Sequence, residues 1–339
     1  MTSSMRERPR AGDRLVVIPD RLDLEGRGLA ARAGEEIVVE GLLPGEEGEA
    51  VVEHVSRHAP RSFAALVGSP GRTSPDRVAR ICPARCGGCA WQHLAYPAQL
   101  EQKRRRVADA LGPGIARARG GGREREALAV LGVPPTPSPR TIAAVAQVVP
   151  APELTGYRNK ATWVVAQRGG GAGAVALGAY APRSHDWVDT SMCRVVHPAI
   201  AAIACAAGGA LDASGLAVYQ EATHRGHLRY LVGRASRSGE VLLGLVTTSD
   251  APQGGVDRAA AALAALPGVR GVVWLPNDTR SGAILGPEAH PRAGSPRIAE
   301  SVGGIAVEVA IDSFLQVNLT AAEALYRRLV EHLLSLIHI

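Results

Sequence analysis

The stretch Cys82-Pro83-Ala84-Arg85-Cys86-Gly87-Gly88-Cys89-Ala90-Trp91-Gln92-His93 puts three thiols within eight residues. Thiolates spaced this closely point to a bound metal centre, because one loop brings them around a single ion or cluster while Gly87 and Gly88 allow the tight turn. Three residues separate the first two cysteines and two separate the next pair. A fourth ligand has to come from elsewhere in the chain.

The remaining composition sets the context for that loop. Only five cysteines occur in 339 residues, and a chain of this length buries a large core without disulfides, so a reducing compartment is expected. No run of about twenty apolar residues occurs and no apolar stretch follows the charged N-terminus, which predicts a soluble, cytoplasmic protein with no membrane association. Net charge is +6, unevenly spread: between Asp76 and Arg125 there are eleven Arg or Lys against four Asp or Glu. Such a segment, with Lys103-Arg104-Arg105-Arg106 inside it, suits a polyanion because phosphate contacts release counterions; a solvated helix face is the alternative.

Upstream of the cysteines the texture is that of a small β unit. Short apolar runs at Leu15–Ile18, Ile37–Val39, Ala50–Val55 and Phe63–Val67 are divided by Gly26, Gly28, Gly34, Pro44-Gly45 and Gly68. Short strands with glycine punctuation predict a small barrel of the oligonucleotide-binding type over residues 10–70. Ser69-Pro70 and Ser74-Pro75 mark a linker.

Downstream, a helix is expected over Ala98–Leu111, then a flexible insertion over 112–150, rich in Gly, Arg and Pro. A hairpin follows, with strands at Ala161–Gln167 and Val175–Tyr180. The glycines at 169, 171 and 173 lead into strand-like residues, which argues against a phosphate loop. Helices at Pro198–Leu211 and Val256–Leu266 alternate with strands at Leu228–Val232, Val241–Thr247 and Gly271–Leu275, giving an α+β central domain over 76–311. Cys205, in an alanine-rich helical stretch, reads as a small buried residue. Beyond Ser313-Phe314-Leu315-Gln316-Val317-Asn318 a helix begins, with capping-box spacing at Thr320 and Glu323 and an apolar face of Ala322, Leu325, Leu329 and Leu333.

The order of these motifs carries a family likeness. A glycine-punctuated barrel, Cys86-Gly87-Gly88-Cys89 with Gln92-His93, Gln99-Leu100 with Lys103, Tyr157-Arg158-Asn159-Lys160, Ser184-His185, Cys193 and Ser313–Asn318 together resemble the RumA/RlmD class of RNA uracil-5-methyltransferases. The likeness spans nearly the whole chain. It implies a multidomain protein: an RNA-binding TRAM barrel, a central domain with a [4Fe-4S] loop, and, over 312–339, the start of a Rossmann-like domain using S-adenosylmethionine.

By the same likeness, Cys82, Cys86, Cys89 and Cys193 are the cluster ligands, Gln316 contacts the cofactor, and Phe314, Arg158 and Lys160 face the RNA base and backbone. The family commonly has five residues between its first two ligands, where this chain has three. Structural zinc is the alternative occupant, since four thiolates also satisfy tetrahedral zinc. The Cys-x3-Cys-x2-Cys spacing is shared with radical S-adenosylmethionine enzymes, but those usually carry the barrel after the cysteines. The likeness further implies 23S ribosomal RNA as substrate, a monomer, and catalysis through a cysteine thiolate that adds to C6 of uracil, with a general base removing the C5 proton. Neither catalytic group is expected before Ile339, so the chain is expected to be an inactive, C-terminally truncated part of its parent, about 100 or more residues short by typical domain size. A non-catalytic RNA-binding, cluster-carrying protein is the other functional class.

Overall fold

The computed structural model describes residues 8–117, 145–168, 174–280 and 282–337. The core of the expected insertion and the glycines at 169–173 lie outside these residues. The chain divides into two compact units, one of residues up to Ile81 with Gly87–Pro150, the other of Cys82–Cys86 with Ala151–Ile339.

The first unit is built on six strands, β1 (Arg14–Val17), β2 (Arg21–Leu22), β3 (Gly28–Arg32), β4 (Glu35–Glu40), β5 (Gly48–Val55) and β6 (Arg61–Leu66), in the order β1-β5-β6-β4-β3-β2. All pairs are antiparallel except β4 with β6. The two ends of this ladder, β1 and β2, are consecutive pieces of one stretch separated only by Ile18-Pro19-Asp20. One interrupted strand therefore pairs along both its halves, and the sheet curls into a barrel, an arrangement that leaves little free edge. Alternation sends Leu15, Val17, Ala50 and Val52 inward to meet Ala30, Ile37, Val39 and Ala64.

Four of these strands, β1, β4, β5 and β6, coincide with the apolar runs expected from sequence. The other two do not. β3 is Gly28-Leu29-Ala30-Ala31-Arg32, whose small side chains between glycines resemble a turn more than a strand. Its glycine is required by packing: a Cβ at Gly28 would lie 2.5 Å from the ring of Pro19.

A buried ion pair fixes the exit from the barrel. Glu46 has no exposed surface, and its carboxylate accepts from Arg77 Nε (2.6 Å) and Nη2 (2.5 Å), from Leu43 N (2.8 Å) and from Ser74 N (3.0 Å). Arg77 Nη2 also donates to Gly41 O at 2.7 Å. The linker is thereby held to the β4–β5 turn. Beyond it, Trp91 Nε1 donates to Asp23 O at 2.9 Å, and Leu94, Trp91 and Ala98 pack with Leu22 and Leu43. The helix α1 (Tyr96–Arg117) starts here, in the first unit, and runs past the Leu111 boundary expected for it.

The second unit holds a seven-stranded sheet. Its strands are β7 (Lys160–Gln167), β8 (Val175–Tyr180), β9 (Trp187–Asp189), β10 (Leu228–Ala235), β11 (Val241–Thr247), β12 (Val269–Pro276) and β13 (His290–Gly294), ordered β13-β12-β11-β10-β7-β8-β9. Only β11 and β12 are parallel, the crossover between them being α3 (Gln253–Ala264). That helix and α2 (Pro198–Asp212) cover one face, where Leu231, Leu243, Leu245 and Val272 meet Ile200, Ile203, Val256 and Leu263. The hairpin of β14 (Arg297–Val302) and β15 (Ile305–Ala310) covers the other, where Val232, Leu242, Val246 and Val273 meet Ile298 and Val309. With both faces covered, every residue of β11 is buried and the strand is apolar up to its closing threonine.

α4 (Leu319–Ile337) follows. Its start differs from the expected capping box: Asn318 Oδ1 accepts from Ala321 N at 3.0 Å, so Asn318 is the cap. Glu323 is drawn away to Gly303 N (3.0 Å) and Arg237 Nη2 (2.9 Å). Of the predicted apolar face only Ala322 is buried, beside Leu319; Leu325, Leu329 and Leu333 are exposed.

Burial acts to raise the Glu46 pKa, but the bonds from Arg77, Leu43 and Ser74 outweigh it and hold the carboxyl below the ordinary range. Its stabilising contribution is therefore full above the unfolded carboxyl's pKa and is lost as pH falls through the depressed folded value. Arg77→Met, which leaves this carboxylate buried without its cation, is expected to cost about 3–5 kcal/mol in urea unfolding at neutral pH. Its stability should also fall less than that of the wild type on acidification.

Candidate functional site

The segment from Ile311 to Asn318 belongs to no strand or helix, so its backbone groups need partners from elsewhere. Three residues in or beside the paired strands β7 and β10 supply them. Asn159, just before β7, donates from its backbone to Val317 O (2.9 Å) and from Nδ2 to Gln316 O (3.2 Å), while its own carbonyl accepts from Ala235 N (2.9 Å). Lys160 Nζ donates to Ile311 O at 3.0 Å, and Arg234 Nη2 to Ser313 O at 2.5 Å. Residue 158 is pinned on both sides, donating to Val195 O (2.8 Å) and accepting from His197 N (2.9 Å). An isolated bridge joins it to Asn318.

With the carbonyls turned inward, the side chains of interest face outward. Phe314 is 86% exposed, and Gln316 and Arg158 are exposed as well. The structure thus brings Arg158, Lys160, Phe314 and Gln316 onto one locality of the second unit, joined by these bonds. Burial pushes the Lys160 ammonium pKa down, nearby Arg234 adds to the shift, and Asp312 opposes it.

None of the five cysteines forms a disulfide. Cys82 is buried, Cys86, Cys89 and Cys193 are half-buried, and Cys193 packs beside the α2 side of the sheet. The boundary between the units passes between Cys86 and Gly87. Among the described residues no group of three or more His, Cys, Asp or Glu side chains is gathered closely enough to hold a metal ion. The donor chemistry of four thiols suits a cluster or zinc. Cys205 is exposed rather than buried, its thiol 3.9 Å from Ser191 O, because it lies on the side of α2 opposite Ile200, Ile203 and Ala207.

Two residues of this locality escaped the sequence reading. Asn159 was part of a motif but had no role assigned. Arg234 is 1% exposed at the end of Leu228-Arg229-Tyr230-Leu231-Val232-Gly233-Arg234, and a charged residue in so apolar a strand was the available signal.

No family model matches the chain. It is, however, 31% identical over 309 residues to an uncharacterized RNA methyltransferase of Thermosynechococcus vestitus, covering 90% of this chain and 62% of that protein. An uncharacterized RNA methyltransferase of Gloeobacter violaceus is 30% identical over 321 residues, covering 93% and 64%. The chain is a homologue of RNA methyltransferases. It spans a little under two thirds of the length of these relatives. Among solved structures it is similar to the Pyrococcus abyssi tRNA (uracil-54, C5)-methyltransferase in complex with S-adenosyl-L-homocysteine, with a TM-score of 0.62 and 22% identity, over 93% of this chain and 64% of that one. That likeness establishes a shared multi-sheet α+β fold. Among the described residues no helix is long and apolar enough to cross a membrane.

Replacing Asn318 by Ala removes the N-cap of α4 and is expected to cost about 1 kcal/mol. Faster amide exchange at Ala321 and Ala322, with the amides of the seven-stranded sheet unaffected, would report it.

Proposed function

We propose that this chain belongs to a methyltransferase that places a methyl group on C5 of uridine in RNA, with 23S ribosomal RNA as substrate. The observation that carries the reading is Phe314, an aromatic ring held almost wholly in solvent on a segment whose backbone is tied down, in a chain homologous to RNA methyltransferases. An exposed aromatic face on an anchored backbone suits stacking with an unpaired base. Arg158 and Lys160 beside it suit the phosphates, and Gln316 offers an amide donor and acceptor to the methyl donor.

S-adenosylmethionine, when bound, supplies the electrophilic methyl group. C5 of a neutral uracil is too weak a nucleophile to take it unaided, so a thiolate added at C6 and a base for the C5 proton are required. Both groups are proposed to lie in the part of the relatives that this chain does not span, and the chain alone to be inactive as a result. The exposed Leu325, Leu329 and Leu333 of α4 are proposed to pack against that same part. The first unit is proposed to be a TRAM-like barrel gripping RNA, and the full protein a cytoplasmic monomer.

Transfer of labelled methyl to 23S RNA or to tRNA by the full-length protein tests the substrate. Methylation of tRNA with none on 23S RNA would overturn the ribosomal assignment, and methylation by the 339-residue chain alone would overturn its inactivity. Phe314→Ala in the full-length protein is expected to lower kcat/KM by about tenfold or more, as loss of one base–aromatic stack predicts.

For Cys82, Cys86, Cys89 and Cys193 the proposed occupant is a [4Fe-4S] cluster, supported by the loop spacing and by the absence of a disulfide among the four. Anaerobic purification is expected to give about four irons and four sulfides per chain. One zinc and no sulfide would replace the cluster by a structural zinc site.

A further inference from the structure

Lys160 and Arg234 stand directly opposite one another on β7 and β10. Like charges placed so are destabilising, and burying a guanidinium adds to the cost. Arg234 is 1% exposed, and its Nε and Nη1 have no hydrogen-bond partner. No carboxylate forms an ion pair with either residue among the described residues. Asp312, exposed on the segment above, is the acid whose field reaches both. For folding alone the arrangement is a poor one, since an apolar pair of similar size would serve the sheet as well or better.

What the two cations do accomplish is local. Each donates a charge-assisted hydrogen bond to a carbonyl of the segment leading to Phe314, Lys160 to Ile311 O at 3.0 Å and Arg234 to Ser313 O at 2.5 Å. Ser313 adds a bond of its own, accepting from Ala310 N at Oγ, 3.3 Å away. Phe314 itself, 86% exposed, has too little packing to fix its direction. Its presentation to solvent therefore depends on how firmly residues 311 and 313 are held.

We propose that Lys160 and Arg234 are positioning residues, a two-cation backbone clamp that presents Phe314 and Gln316 to RNA and cofactor at the expense of the stability of the sheet. The assignment rests on the proposed function for what is presented, but the clamp itself is testable without it. Lys160 can serve the clamp with one N–H and still offer the others to a phosphate.

The test uses the 339-residue chain and its Lys160→Met, Arg234→Met, Lys160→Arg and Phe314→Ala variants. Backbone 15N order parameters of residues 312–317, thermal unfolding, and binding of a uridine-containing single-stranded RNA oligonucleotide are measured on each. In the two Met variants the order parameters of 312–317 should fall from rigid-backbone values to below about 0.6. The melting temperature should be unchanged or raised. Oligonucleotide affinity of Arg234→Met should fall to the level of Phe314→Ala, and Lys160→Arg should restore the order of the segment. Unchanged order parameters in the Met variants would overturn the clamp. So would a lowered melting temperature with order lost evenly through β7, β10 and β11, which would make the pair an ordinary structural element. If the wild-type chain binds no RNA while the order parameters respond as expected, the clamp stands and the RNA reading fails.

Discussion

The second unit depends on a sheet covered on both faces. α2 and α3 close one side and the β14–β15 hairpin the other, so the central strands have to be apolar along most of their length. Polar chemistry is then confined to strand ends and to the segments crossing them. Asn159, Lys160 and Arg234 sit at one such end, and the irregular stretch from Ile311 to Asn318 crosses there. The stretch stays irregular because side chains and one isolated backbone bridge, and not a continuous neighbouring strand, satisfy its carbonyls. The same constraint explains why so exposed a phenylalanine is found on so well-held a backbone.

The first unit solves a different problem. A small barrel has few residues to bury, and its ladder closes only because one strand, broken at Pro19, pairs with β5 through its first half and with β3 through its second. The chain leaving it is then fixed by a single fully buried carboxylate with four donors. Such a pair is unforgiving: it holds while every partner is present and becomes a liability when one is removed.

Much of this was legible in the sequence where burial imposes a period. β11 was bounded to the residue by its apolar run, and α2, expected over Pro198–Leu211, ends one residue later at Asp212. β3 was not, since Gly28, Ala30 and Ala31 are chosen for close approach and carry no strand signature. β9, β13 and β14 were missed for a related reason, being edge or surface strands whose polar residues face outward. The cap of α4 was misplaced because Glu323 has better partners in Gly303 and Arg237 than its own helix start. At the candidate site the exposed residues of the Phe314 motif were readable as a pattern. The residues that hold them were not, because Asn159 and Arg234 act on backbone carbonyls far away in sequence, and no spacing rule marks such a contact.

The last helix has one more consequence. α4 is joined to its unit near its beginning, through Leu319, Ala322 and the Glu323–Arg237 bond, while Leu325, Leu329, Val330, Leu333 and Leu334 lie in water. Its hold on the fold therefore declines along its length, and its outer turns are as free to meet a detergent micelle or another oily surface as to meet protein. Among the described residues, α4 gathers closely spaced exposed apolar side chains on one element, whereas Val16, Leu24 and Met192 are exposed singly elsewhere.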